Sequence, residues 1–107
     1  YELALVSNNG CKIIGKRIGS VWDISKDNVN NYLHATQKPI ELFAKIINKV
    51  SKAGATVLDL FGGSGTTIIA AEQLNRKAYV MELDPHYCDV ILARWEKMTG
   101  KQAIKIN

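Results

Sequence analysis

Proline is scarce in this chain. Only Pro39 and Pro85 occur among 107 residues, they are not adjacent, and no Pro-Pro loop can therefore be built from it. Two cysteines, Cys11 and Cys88, lie far apart and have no metal-ligand spacing. That excludes a disulfide scaffold and leaves buried or idle thiols of a reducing compartment. Two lone histidines, His34 and His86, have no cysteine or acidic ligand at metal-site spacing, so no metal site is expected. No apolar run approaches the ~20 residues needed to cross a bilayer, and nothing resembles a secretory signal, so no membrane partner is expected. Repeats, low-complexity tracts and heptads are also missing. The chain opens at Tyr1 in an apolar run without an initiator Met, which reads as a portion of a longer protein.

What remains is ordinary for a globular domain: 47% hydrophobic and 22% charged residues, enough for one modest core. The net charge of +4 is unevenly placed. Residues 1–54 carry eight Lys/Arg against four acids, whereas residues 55–107 carry six of each sign. A basic half suits either a solvated face or a polyanionic partner whose phosphates it would neutralise.

The organising stretch runs from Val57 to Glu82, VLDLFGGSGTTIIAAEQLNRKAYVME. Val57, Leu58 and Leu60 form an apolar run around Asp59 that suits a buried parallel strand. Gly62, Gly63 and Gly65 allow a sharp turn and close approach of the backbone to a ligand. Thr66 to Leu74 reads as a helix, with Ile68, Ile69, Ala71 and Leu74 able to pack on a sheet. Ala78 to Met81 reads as a second strand with Glu82 at its carboxyl end, the edge where open α/β sheets bind ligands. A pocket for a nucleoside-containing cofactor is predicted there.

Three cofactor classes use such a turn. A phosphate-binding loop needs a Lys at its end, and Gly65 is followed instead by Thr66-Thr67. A dinucleotide fingerprint needs a small third residue for close helix packing, and Ile68 stands there. S-adenosylmethionine has no phosphate and needs only close backbone and amide donors for its carboxylate. Asp59 can face its ammonium. Glu82 can accept hydrogen bonds from both ribose hydroxyls, because a carboxylate offers several acceptor sites. Asp59 also reads as a cap of the turn, and Glu82 as a solvated strand end.

Elsewhere, Tyr1 to Ser7 and Cys11 to Ile18 read as a hairpin around Ser7-Asn8-Asn9-Gly10. Trp22 can anchor the following segment, and Ser25 to Tyr32 reads as loop. Pro39 suits a first helical position. Ile40, Phe43, Ile46, Ile47 and Val50 give that helix one apolar face, and Gly54 is placed to stop it. Asp84-Pro85 is a helix-start signature. Cys88, Ile91, Leu92, Trp95 and Met98 then supply a buried face, and Gly100 ends the helix. Ala103 to Ile106 reads as one more short strand. The pattern predicts an α/β fold, a mostly parallel sheet flanked by helices.

Asp59-Leu60-Phe61-Gly62-Gly63-Ser64-Gly65-Thr66-Thr67 resembles the cofactor motif of the amino-methylating DNA methyltransferases, which modify the exocyclic amino group of adenine or cytosine. Thr36-Gln37-Lys38-Pro39 is similar to the segment forming the other wall of the methionine site in that family. Their order matches the permuted, or beta-class, arrangement, in which the catalytic region precedes the cofactor region. The runs Glu82 to Tyr87 and Arg94 to Lys101 are similar to the closing segments of phage-type members. Leu60 and Ala35 stand where many members have Pro.

The resemblance implies a partial Rossmann-like methyltransferase fold with an N-terminal β-hairpin. Residues 1–33 would end the catalytic region and residues 34–107 would bind S-adenosylmethionine. It implies a cofactor site of Thr36, Gln37, Lys38, Asp59, Phe61, Gly62, Gly63, Ser64, Gly65, Thr66, Glu82 and Leu83. Double-stranded DNA would be a partner through the full-length enzyme, which would act in a restriction-modification setting in the cytoplasm, bacterial or phage-encoded. A homodimer stays open. The family's catalytic Asp/Asn/Ser-Pro-Pro-aromatic loop is absent, so no catalytic residue is assigned. Asp84-Pro85-His86-Tyr87 is read as a helix cap and adenine-site wall instead. A non-catalytic cofactor-binding module and a nicotinamide-dependent oxidoreductase are the alternatives.

Overall fold

The computed structural model describes residues 7, 9–10, 14–16, 18–26 and 37–106. Five elements follow one another there: α1 (Ile40–Val50), β1 (Thr56–Asp59), α2 (Thr66–Gln73), β2 (Lys77–Val80) and α3 (Pro85–Thr99). Strands β1 and β2 pair in parallel, from Thr56 opposite Lys77 to Asp59 opposite Val80. This is a partial α/β unit of the Rossmann type. The ladder is prolonged by Met81 N–H donating to the Asp59 carbonyl at 2.9 Å and Gly62 N–H donating to the Met81 carbonyl at 2.8 Å. The backbone of the glycine turn is thus tied to the end of β2.

Alternation along the strands decides where the core lies. Val57 and Ala78 turn toward the buried cluster of Ile47, Ala70 and Ala71, joined by Ile40, Phe43, Ala44 and Leu74. Ala70 and Ala71 are fully buried, because only small side chains let α2 lie this close to both α1 and the sheet. Burying Ile47 contributes about 1.5–3 kcal/mol. The opposite sheet face is open, with Leu58 66% and Tyr79 62% exposed. The expectation of a strand buried on both faces is corrected here, since the helices that pack on β1 and β2 share one side.

Local signals place most helix and strand ends to within a residue, the end of α1 excepted. Pro39 is the N-cap of α1 rather than its first residue. The helix stops at Ser51, in extended conformation, and not at Gly54. Arg76 holds that end: Nη2 donates to the Ser51 carbonyl at 2.6 Å and Nη1 to the Leu74 carbonyl at 2.7 Å. Gly54, at φ 82°, instead turns the chain into β1. Val50 and Leu92, assigned to apolar faces, are 46% and 47% exposed. Residues 103–106 are not a strand, and Ile104 and Ile106 project into solvent. Trp22 does anchor its segment, with Lys45 Nζ 5.5 Å from the ring centroid. The N-terminal hairpin, except for a few separate residues, lies outside the described residues, as do Cys11, His34 and the boundary at residue 33.

Candidate functional site

The carboxyl ends of β1 and β2 bring together most of the residues singled out from sequence. β1 ends at Asp59, whose Oδ1 accepts the Phe61 N–H at 3.0 Å and whose Oδ2 accepts the Thr67 hydroxyl at 2.5 Å. The carboxylate therefore caps the turn and meets the first turn of α2. It keeps acceptor capacity beyond these two bonds, since each ionised carboxylate has about four lone-pair sites.

Beyond Phe61 the chain doubles back. Gly65 N–H donates to the Gly62 carbonyl at 2.8 Å, and Gly65, at φ 83°, is the left-handed cap from which α2 starts. Gly63, at φ 54°, faces open space, with no atom within 4 Å of where a Cβ would stand. The turn thus has one open side, at Gly63, where a ligand can meet bare backbone. Its other side is closed: a Cβ on Gly65 would lie 2.8 Å from Ile91 Cγ1, and one on Gly62 would overlap Val80.

Glu82 follows β2 and reaches back to this turn. Its Oε2 accepts the Gly63 N–H at 2.6 Å and its Oε1 accepts the Asp84 N–H at 3.0 Å. A solvated strand end does not describe a carboxylate that bridges the turn to the start of α3. Asp84 caps α3 by accepting the His86 N–H at 2.9 Å, with Pro85 in the first helical turn, as the sequence predicts.

Lys38 enters through its backbone, its carbonyl accepting the Thr66 hydroxyl at 3.2 Å, so the segment before α1 abuts the start of α2. Gln37 and Lys38 are half-buried, and Thr36 lies outside the described residues. Phe61 and Leu83 flank the edge at 88% and 97% exposure. They rim an open site and do not line an enclosed one. Ser64 and Thr66 are buried. A separate cavity of about 310 Å³ lies between α2 and α3, beside Ile68, Glu72 and Trp95 and away from this edge. Among the described residues no group of three His, Cys, Asp or Glu could hold a metal ion, and no helix is long and apolar enough to cross a membrane.

Two partners of the site, both inside segments quoted for the family resemblance, were given no place in the site from sequence. Thr67, 4% exposed, is the hydroxyl that orients Asp59; its place eight residues later, one helical start away, was a usable signal. Arg94 is the other, its Nη1 donating to the Ser64 carbonyl at 2.6 Å and to Ser64 Oγ at 3.1 Å. Nothing in a sequence links residues thirty positions apart before the azimuth of α3 is known.

This geometry has counterparts. Residues 5–93 match the family described as DNA methylase. The chain belongs to that family. Among curated members, the type II methyltransferase M.HinfI of Haemophilus influenzae is 39% identical over 83 residues, covering 70% of this chain and 23% of its own length. Among solved structures, the M1.HpyAVI–SAM complex has 35% identity and a TM-score of 0.58, over 61% of this chain and 32% of that one. The cytosine-N4-specific PvuII DNA methyltransferase has 32% identity and a TM-score of 0.56, over 58% of this chain and 22% of that one. The chain spans less than a third of the length of the curated relatives it matches first.

Proposed function

We propose that this chain is the S-adenosylmethionine-binding part of a DNA methyltransferase acting on the exocyclic amino group of adenine or cytosine. The observation that carries the reading is the open backbone of Gly63 standing beside the Glu82 carboxylate at the carboxyl edge of a parallel pair. The residues fit the cofactor. Phe61 to Thr66 would hold its methionyl part against bare backbone, with the N-terminus of α2 favouring the carboxylate. Asp59 would meet the ammonium, and Glu82 the ribose hydroxyls. Gln37 and Lys38, brought up by the Thr66–Lys38 bond, would supply the opposite wall, together with Thr36, and Leu83 would lie along the adenine. When bound, S-adenosylmethionine supplies an electrophilic methyl group on a sulfonium sulfur.

This chain's own residues bind and orient; they do not receive the base. With no Pro-Pro-aromatic loop in its sequence, the pocket for an extruded base would come from another part of the full enzyme. Duplex DNA is the substrate on this reading, and a bacterial or phage-infected cytoplasm is where it and the cofactor occur together. M1.HpyAVI, crystallised with SAM, supports the cofactor assignment.

Isothermal titration of S-adenosylmethionine and of its demethylated product into the folded chain tests the proposal. Saturable binding at one site, lost when Gly63→Val fills the open side of the turn, is expected. A folded sample that takes up neither ligand at millimolar concentration would overturn it.

A further inference from the structure

The contact between α3 and the glycine turn carries a role that neither the motif nor the fold assigns. The peptide unit joining Ser64 to Gly65 is gripped at both ends. Its N–H donates to the Gly62 carbonyl at 2.8 Å, and its C=O accepts Arg94 Nη1 at 2.6 Å. The same nitrogen reaches Ser64 Oγ at 3.1 Å. Three residues earlier on α3, Ile91 fills the space beside Gly65, 2.8 Å from where a Cβ would be. Residues i and i+3 of a helix lie on one face, so α3 presents an apolar wedge and a cationic donor to one turn.

A peptide plane flanked by glycine can flip cheaply, because glycine occupies positive and negative φ with similar ease. A flip of the Ser64–Gly65 unit would reverse its N–H and C=O and remove the cap from which α2 starts. The bond from Arg94 is charge-assisted, hence shorter and about twice as strong as a neutral one. It acts on the side of the turn facing α3, whereas the open side is at Gly63.

We infer that Arg94 is the positioning residue of the glycine turn: with Ile91 it locks the Ser64–Gly65 peptide plane and so keeps the Gly63 side in its ligand-ready shape. Resting on the cofactor reading above for its functional meaning, the lock itself is a property of the unliganded chain.

The test uses the full 107-residue chain. Amide exchange is followed by NMR without ligand at Gly65, with the Ile47 amide of α1 as internal reference. In Arg94→Met, which keeps an apolar stem, exchange at Gly65 should rise about tenfold while Ile47 is unchanged, a local opening distinct from global unfolding. Affinity for S-adenosylmethionine should fall about tenfold, the loss of one charged hydrogen bond, and Arg94→Lys should restore much of both. Unchanged exchange at Gly65, or equal acceleration at Gly65 and Ile47, would overturn the assignment. Should Arg94→Met not fold, the wild-type chain decides the matter. Rotation of the Arg94 guanidinium about Cζ–Nε should be slowed relative to free arginine, and free rotation would refute the lock. A turn that loosens as expected in a chain that binds no S-adenosylmethionine would sustain the lock and defeat the cofactor reading.

Discussion

Glu82 holds the glycine turn and is proposed to hold the ribose as well, and a substitution can separate the two. Its carboxylate holds the Gly63 N–H and is the group assigned to the ribose hydroxyls. Glu82→Ala should therefore weaken cofactor binding by ~1–3 kcal/mol, the cost of removing a partner from a charged hydrogen bond. Glu82→Gln keeps one carbonyl oxygen for Gly63 and should lose less. Calorimetry with S-adenosylmethionine and with an analogue lacking the ribose hydroxyls distinguishes the roles. If the alanine variant weakens both ligands alike, Glu82 acts through the turn and not on the ribose. Asp59 is similarly shared between the Phe61 N–H and Thr67, so its orientation is set before any ligand arrives.

Among the elements, α3 was the easiest to read and the one whose role was least visible. Asp84, Pro85 and Gly100 mark its ends by chemistry that acts within a few residues: a side-chain acceptor, a fixed φ and a left-handed cap. Asp84→Ala should lower stability by about 0.5–2 kcal/mol in urea unfolding. A variant as stable as wild type would mean that the cap bond to His86 is replaced. What could not be read was rotation of the helix about its axis, which sends Arg94 to Ser64 and leaves Leu92 half in solvent. Residues 103–106 failed as a strand for a related reason. Apolar alternation proposes a strand, but a ladder partner makes one, and here Ala103 N–H donates to the Glu96 side chain at 2.7 Å. Gly54 looked like a helix stop because glycine favours left-handed φ, yet Ser51 and Arg76 end α1 earlier through contacts between distant residues.

At the scale of the molecule, the turn, its two strands and its three helices were legible because each depends on neighbours in sequence. The one-sided placement of the helices was not, since whether a parallel strand is covered on its second face depends on what else is present. Six of the eight cations of residues 1–54 lie among the described residues: Lys16, Lys26, Lys38, Lys45, Lys49 and Lys52. In the DNA methyltransferase proposed above, these cations would add salt-sensitive phosphate contact without sequence choice, because phosphate attraction needs no base pocket.

The open sheet face has a consequence for the life of the chain in a cell. Leu58, Tyr79, Leu60 and Met81, between 52% and 66% exposed, present the kind of surface that chaperones and proteases survey. Among the described residues the sheet has two strands, each with an outer edge that no other described strand pairs, and such an edge is a template for pairing with other chains. The steady-state level of this polypeptide should then report whether that face is occupied, with turnover fast when it is bare. Leu58→Lys with Tyr79→Lys alters no residue assigned to the cofactor and places charge on the bare face. A longer half-life in pulse-chase, and a larger soluble fraction, is the expected result. Unaltered turnover in the doubly substituted chain would place the degradation signal elsewhere.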